Sequence, residues 1–516
     1  MDIHQSVDNA HGGATDADFP TSMIQFNPFI PTTVNHDTLN VFIRESYRSY
    51  YGHIREAFAL DYRMITLTGT SGIGLSCFYS YFFDRFRAEN RATTIIAASF
   101  NAERELISCL EFPPGSLNGV ERSEIPTNKE ALYLYDGAPH VGHWTRRMVC
   151  FTTPDPSWRR TLYKDPSHCE LYLPVWTLKE LTAAAADLGL PLDPKTIQAR
   201  FRFFGGSARY CLGLHDVDPV IASIRGTLAG FSVDQLEMCL AGDPRTQHIR
   251  HHVFHAAPVF LRSPLPYFRN VFIASDEIRE ILEKILVKSD DASFSAFVRA
   301  RPPTHETPVL LDWLFGVHVL RLFSKGNEKF DLSRLSNSGD RATLVLQSGV
   351  FERICGSNIP TVDGAFRDAT SGITYLFQIT RSDSHQVNGF GTWALLKERG
   401  ELESLRQNKV ALVFAVPESR EGFGHQSIEI PEFPLGQATQ ISSIPGLDPA
   451  DCFELFGKGI GTAKDLRGQL SEDLSLERYR SRLGTFEQWY NSSDASLSLV
   501  SIPQFRLTIP NIFDKF

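Results

Sequence analysis

Cysteines are few and scattered: the eight stand at 77, 109, 150, 169, 211, 239, 355 and 452, with no CxxC pair. That spacing excludes a zinc ribbon and a disulfide-stapled scaffold, and makes reduced thiols the expectation. No stretch approaches the roughly 18 to 20 uninterrupted apolar residues that cross a bilayer. The opening MDIHQSVDNAHGGATDADFP has neither a basic start nor an apolar run, so no ordinary secretory signal is visible and a soluble protein is expected. Positive charge is also short: 51 Lys and Arg against 60 Asp and Glu leave a net charge of −9. A surface-wide cationic sheath for nucleic acid is thereby excluded, and any phosphate contact has to be local. One basic neighbourhood, Arg146, Arg147, Arg159, Arg160 and Lys164 followed by Arg200, Arg202 and Arg209, reads most simply as a solvated face.

Apolar material is plentiful, with 42% hydrophobic residues, 38 Phe, 15 Tyr and 6 Trp in 516 residues, which excludes a disordered chain. At roughly 150 residues per domain the length predicts three or four domains. Strand-like runs recur as MITLT at 64–68, TTIIAASF at 93–100, ALYLYDG at 131–137, MVCFTT at 148–153 and CELYLPV at 169–175. Helix-capable segments separate them, which predicts an α/β unit with a mainly parallel sheet. After Gly206 helices are expected: Ile278, Ile281, Leu282, Ile285 and Leu286 follow the spacing of one buried helical face, and Thr307-Pro308 starts another helix. Beyond Ser336 a second strand set follows: ATLVLQSGVFERI, TVDGAF, GITYLFQITRS and KVALVFAVPES, with the helix-like WALLKERGELESLRQ before the last.

Three constellations carry chemistry. The first is GTSGIGLS at 69–76, between a strand and the helix-like CFYSYFFDRF. Gly69, Gly72 and Gly74 let successive amides turn toward an anion, and Ser76 stands where a hydroxyl would reach Mg²⁺. Leu75 occupies the place of the phosphate-bridging lysine, and Asp136 ends a strand where a second Mg²⁺ contact would belong. The loop reads either as a nucleotide site or as a nucleotide fold kept as scaffold. The second constellation is Glu352, Asp363 and Gln378-Ile379-Thr380, where acids and a lysine on neighbouring strands would make a metal nuclease. Gln378 and Thr380 are neutral there, Lys397 on the next helix offers a cation, and a core without chemistry is the alternative.

The third is ISSIPGLDPADCFELFGKGIGTAKDL at 441–466, whose Ile444, Pro445, Gly446 and Leu447 match a helix-hairpin-helix turn that presents amides to DNA phosphate. Lys458, Lys464 and Arg467 add positive charge; Asp448 and the missing N–H of Pro449 subtract from it, and a plain packing unit is the alternative. HIRHHVFH sets His248, His251, His252 and His255 at helical spacing, read as solvated or packed histidines ahead of a zinc site.

Together GTSGIGLS, LYLYDGAP, TTPDPSWRR, LYLPVWTLKEL and FFGGSARYCL resemble the Crinkler effector and trypanosomatid retrotransposon-hot-spot superfamily over roughly residues 41–435, and VDGAF…YLFQITRSDSH resembles its later domain. The resemblance implies a P-loop NTPase-like parallel sheet followed by a PD-(D/E)xK nuclease-like α/β module; with the helical connector and the small helical C-terminal module read from the residues, an α/β multidomain chain is expected. The expected divisions are 1–40 a mobile polar arm, 41–215 a degenerate NTPase-like domain, 216–335 the connector, 336–435 the restriction-endonuclease-like domain, 436–485 the helix-hairpin-helix-like module and 486–516 a tail. It implies ATP or GTP on Gly69, Gly74 and Ser76, Mg²⁺ at Ser76, Asp136 and Asp363, a sensor-like arginine at Arg209, and nuclease positions at Glu352, Asp363 and Gln378. DNA is the implied partner, and a nucleus is the implied place of action, a host's after secretion for effectors that open on an LFLAK-type header, which is not found here. The expectation is a DNA-binding, effector-type chain with degenerate cores; the alternative is an NTP-regulated, Mg²⁺-dependent DNA nuclease.

Overall fold

The structure is a computed structural model that describes residues 23–25, 29–32, 40–116, 118–140, 147–154, 156–162, 165–259, 268–299, 308–325, 328–335, 341–346, 351–353, 362–382, 387–420, 422–429 and 501–510, with isolated positions from 455 to 499. The chain divides into two compact units, Met1–Ile281 with Arg301–Pro308, and Leu282–Ala300 with Val309–Phe516.

The first unit opens with β1 (Met23–Gln25) paired antiparallel to β2 (Asn40–Phe42), so part of the expected arm is strand. The elements that follow are α1 (Glu45–Ala59), β3 (Met64–Thr68), α2 (Leu75–Glu89), β4 (Ile95–Phe100), β5 (Leu106–Phe112), β6 (Val120–Glu121), β7 (Leu132–Asp136), β8 (Met148–Phe151), α3 (Pro156–Leu162) and β9 (His168–Tyr172). Seven described strands form one sheet in the order β6-β5-β4-β7-β8-β3-β9, parallel from β4 to β9 with β5 and β6 antiparallel at one edge. Every residue of β3, β4, β7 and β8 is buried, as expected where helices cover both faces. On one face Phe78 and Phe82 of α2 pack against Phe151, and Tyr47 and Tyr51 of α1 pack on them. On the other, Trp158 and Leu162 of α3 join Met64, Tyr133 and Cys150 in the core, and Trp158 Nε1 donates to Thr66 Oγ1 at 3.2 Å.

Next come α4 (Leu178–Asp187), α5 (Pro194–Phe204), α6 (Ala208–Cys211), α7 (Asp218–Ala229), α8 (Val233–Ala241) and α9 (Gln247–Val253). Their starts are legible: Thr177 with Glu180 and Ser232 with Gln235 make capping boxes, and Asp193 caps α5 ahead of Pro194. The expected helical connector is interrupted by an antiparallel hairpin, β10 (Phe254–Val259) and β11 (Phe268–Ile273). His255 therefore sits on a strand, and the four-histidine helical spacing breaks at Val253.

The chain passes from the first unit to the second within α10 (Asp276–Lys288), whose Ile278, Leu282 and Leu286 are buried as the spacing predicts. The second unit continues through α11 (Asp291–Arg299), α12 (Pro308–Lys325), β12 (Glu328–Arg334), β13 (Arg341–Leu346), β14 (Glu352–Arg353), β15 (Gly364–Arg367), β16 (Thr374–Ile379), β17 (Val387–Asn388), α13 (Gly389–Glu398), α14 (Leu402–Arg406), β18 (Val410–Pro417), β19 (Ile428–Glu429) and β20 (Gln504–Ile509). Its main sheet runs β13-β12-β20-β18-β16-β15-β14, and β17 pairs with β19 beside it. This sheet exceeds the limits expected for the module. β12 lies within the span expected as the connector, and β20, from the expected tail, lies inside the sheet parallel to β18. The buried Gln504 side chain anchors it by accepting from Gln426 N at 2.8 Å and donating to Gln426 O at 2.9 Å. The single expected helix 393–407 is two, parted at Gly400, whose φ of +70° no helix continues. The fold class is mixed α/β in both units.

Candidate functional site

The loop Gly69–Ser76 leaves the carboxyl end of β3 and enters α2, the edge of a parallel sheet where ligands collect. Gly72 and Gly74 take φ of +82° and +95°, and a Cβ at Gly74 would lie 2.5 Å from Tyr47 Oη. Four successive loop carbonyls are held from outside. Ser207 Oγ donates to Ser71 O at 3.3 Å, Arg209 N to Gly72 O at 3.0 Å, Trp176 Nε1 to Ile73 O at 2.7 Å and Tyr47 Oη to Gly74 O at 2.9 Å. With the carbonyls fixed, the amides of Gly72, Ile73, Gly74, Leu75 and Ser76 find no acceptor among the described residues. A run of unpaired amides at a helix N-terminus carries partial positive charge and suits an oxyanion.

Trp176 is itself held by Arg44. That guanidinium is buried 4.5 Å from the indole centroid, donates to Pro174 O at 2.9 Å and Val175 O at 3.1 Å, and pairs with Glu180 at 3.0 Å. Sequence reasoning missed Arg44, Tyr47, Trp176 and Ser207, each acting through hydrogen bonds with no periodic trace.

Ser76 Oγ donates to Asp136 Oδ1 at 3.0 Å, so the structure joins two residues sixty positions apart as the motif reading expects. Asp136 is buried, and burial with its negative charge pushes the neighbouring Cys77 thiol up to about 11. Two buried hydroxyls at the same sheet edge, Thr68 Oγ1 and Ser99 Oγ, have no partner among the described residues. The Ser76 hydroxyl and the Asp136 carboxylate are oxygen donors of the kind a hydrated divalent ion takes beside an anion. Leu75 is buried and supplies no charge; the nearby cation is Arg209, whose Nη1 donates to Ser71 Oγ at 3.3 Å.

In the second unit Asp363 Oδ2 accepts from Ile379 N at 2.6 Å and from Gln378 Nε2 at 3.1 Å, while buried Gln378 Oε1 has no partner among the described residues. Asp363 and Gln378 thus meet as expected, but Glu352 does not complete a shared site. It pairs in register with Ala365, and its carboxylate is bound by Arg399 at 2.7 Å. Lys397 Nζ stands 5.0 Å over the ring of Trp393 on its own helix, and Thr380 Oγ1 accepts from Ser382 N at 3.1 Å.

In the later segment Leu455, Ile460 and Leu466 are buried in the second unit's core, Thr462 and Asp465 cap one another, and Lys464 is exposed. Pro445, Gly446, Leu447, Lys458 and Arg467 lie outside the described residues. The rings of His251 and His252 are 3.9 Å apart, and burial, followed by repulsion from His251, pushes His252 and His255 down to about 3. His255 is buried and His252 half-buried, the downward shifts keep both rings neutral near pH 7, and among the described residues no three His, Cys, Asp or Glu are arranged to hold a metal. No known protein-family model matches the chain, and no curated protein matches it in sequence.

Proposed function

We propose that the chain is a Crinkler-type, nucleotide- and DNA-binding protein that grips phosphate without efficient turnover. The observation that carries this reading is the row of unpaired amides from Gly72 to Ser76, backed by carbonyls tied to Ser207, Arg209, Trp176 and Tyr47. A P-loop NTPase-like identity for the first sheet is supported by its order: the loop strand β3 lies between β8 and β9, with Asp136 on β7 one strand further. In the second unit, the run β14-β15-β16, α13 and then a strand parallel to β16 supports a restriction-endonuclease-like identity.

In this reading the loop amides hold the phosphates of ATP or GTP, Ser76 and Asp136 hold Mg²⁺, and Arg209 supplies the cation at the loop mouth. Bound Mg²⁺ neutralises phosphate charge. Leu75 leaves the bridging charge missing, which impairs charge stabilisation during transfer more than ground-state binding by amides. DNA contact is assigned to residues 441–467, and the place of action to a nucleus. The alternative nuclease would need Glu352 released from Arg399 to join Asp363.

Titration of a fluorescent ATP or GTP analogue with and without Mg²⁺ tests the loop. Asp136→Asn is expected to weaken Mg²⁺-dependent binding, and Leu75→Lys to strengthen binding, each about tenfold, the worth of one charge-assisted hydrogen bond. For DNA, filter binding is expected to fall steeply with salt, and no retention at low salt would end that part of the reading.

A further inference from the structure

The amino ends of the same strands, at the opposite edge of the sheet from the glycine loop, frame a cavity of about 730 Å³. Its lining includes Arg63 just before β3, Lys129 shortly before β7 and Arg147 just before β8. Among the described residues these three exposed cations have no carboxylate within ion-pair distance, Arg63 acting only more distantly on the Asp165 carboxylate, whereas the fourth, Arg55, is bound to Glu89 at 3.2 Å. Two lining acids, Asp61 and Glu130, leave the wall net positive in a chain whose overall charge is −9.

Aromatic rings line the same cavity. Phe58 and Phe86 are half-buried lining residues; the Arg147 guanidinium lies 5.8 Å over the Phe58 ring, and Phe86 is stacked on Phe82. Separated like charges repel and cost stability unless an anion comes between them. Aromatic rings that line a concavity suit planar bases, and cations on the same wall suit the linking phosphates.

We propose that this cavity binds single-stranded nucleic acid, with phosphates on Arg63, Lys129 and Arg147 and bases against Phe58 and Phe86. A duplex keeps its bases stacked on one another and cannot offer them to a concave wall. The volume lies within the roughly 300 to 1,000 Å³ of small-ligand sites, room for a nucleotide or two of a strand whose remainder runs over the rim. This deepens the DNA-binding reading by adding a site separate from residues 441–467.

The test is fluorescence anisotropy of the full chain with a labelled oligothymidylate of about 12 nucleotides, within the span such sites cover. Binding is expected at low salt, with a log–log salt slope of about −2, near −0.7 for each of three phosphate contacts. Arg63→Gln with Lys129→Gln is expected to lower affinity at least tenfold and flatten the slope to about −0.7. Phe58→Leu is expected to lower affinity with the slope unchanged. Lys195→Gln, removal of one positive charge elsewhere on the first unit, is expected to leave binding intact.

Absence of strand binding, or equal losses from Lys195→Gln and from the cavity variants, would overturn the proposal. Full competition by thymidine monophosphate, with no gain from the longer strand, would assign the cavity to a free nucleotide and overturn the strand reading. Duplex retention measured alongside separates the two DNA readings: duplex binding with no strand binding ends only this one, and strand binding without duplex binding ends only the 441–467 assignment.

Discussion

At Gly74 backbone strain and the proposed phosphate contact fall on one position. Its φ of +95° is strained for any other residue, and an added Cβ would meet Tyr47 Oη at 2.5 Å. Gly74→Ala is expected to cost about 1 to 3 kcal/mol, the range for backbone strain at such a site, and to abolish nucleotide binding together. Tyr47→Phe keeps the ring against Phe78 and removes only the bond to Gly74 O, so about 1 kcal/mol and a partial loss of affinity are expected. Thermal melts with and without nucleotide check both, and a Gly74→Ala chain that melts and binds as wild type would contradict the loop assignment. The glycines, Ser76 and Asp136 were legible because the loop's spacing is local and an acid ending an apolar run is conspicuous. Tyr47 and Trp176 were not, because each contributes one hydrogen bond from far along the chain, and neighbouring residues of the same kinds serve only as core.

Strands buried on both faces announced themselves as unbroken apolar runs, which is why β3, β4, β7, β8, β16 and β18 were found from sequence. The strands β12 and β20 carry charged residues among their apolar ones, and β10 includes a histidine and a proline, so pairing partners rather than composition decide them. The adjoining ends of β15 and β16 hold the polar pair on which the nuclease question turns. Gln378→Glu would set a second, buried carboxylate beside Asp363, where the present amide donates at 3.1 Å. Like charges this close are unfavourable without a cation. The variant is therefore expected to melt lower than wild type near neutral pH and to regain stability with Mn²⁺ or Mg²⁺, by an amount that grows with ion concentration. A melting temperature unmoved by divalent ions would show that this corner cannot take a metal even with its acid restored.

Across the first unit, three histidines tie folding to pH. Burial leads the causes that push His168 down to about 4 and His252 and His255 down to about 3, all below the ordinary value near 6.5 of an unfolded chain. The unfolded chain binds more protons between those values, so the stability these groups confer is complete above about pH 6.5 and lost as pH falls toward 3. Between about pH 7 and 5, where ordinary carboxylates stay ionised, the first unit's melting temperature is expected to fall, and a flat profile would contradict neutral burial of these rings. The parallel sheet and the glycine loop at its edge were readable in advance, whereas the second unit's full sheet and the basic cavity depend on residues that meet only in three dimensions. The central claim is retention of nucleotide without its consumption, and it is tested by measuring bound nucleotide and released phosphate in one Mg²⁺-containing sample beside Asp136→Asn. The expected result is saturable, Mg²⁺-strengthened binding with phosphate release at the level of the variant; steady release that Asp136→Asn abolishes, or no binding at all, would contradict it.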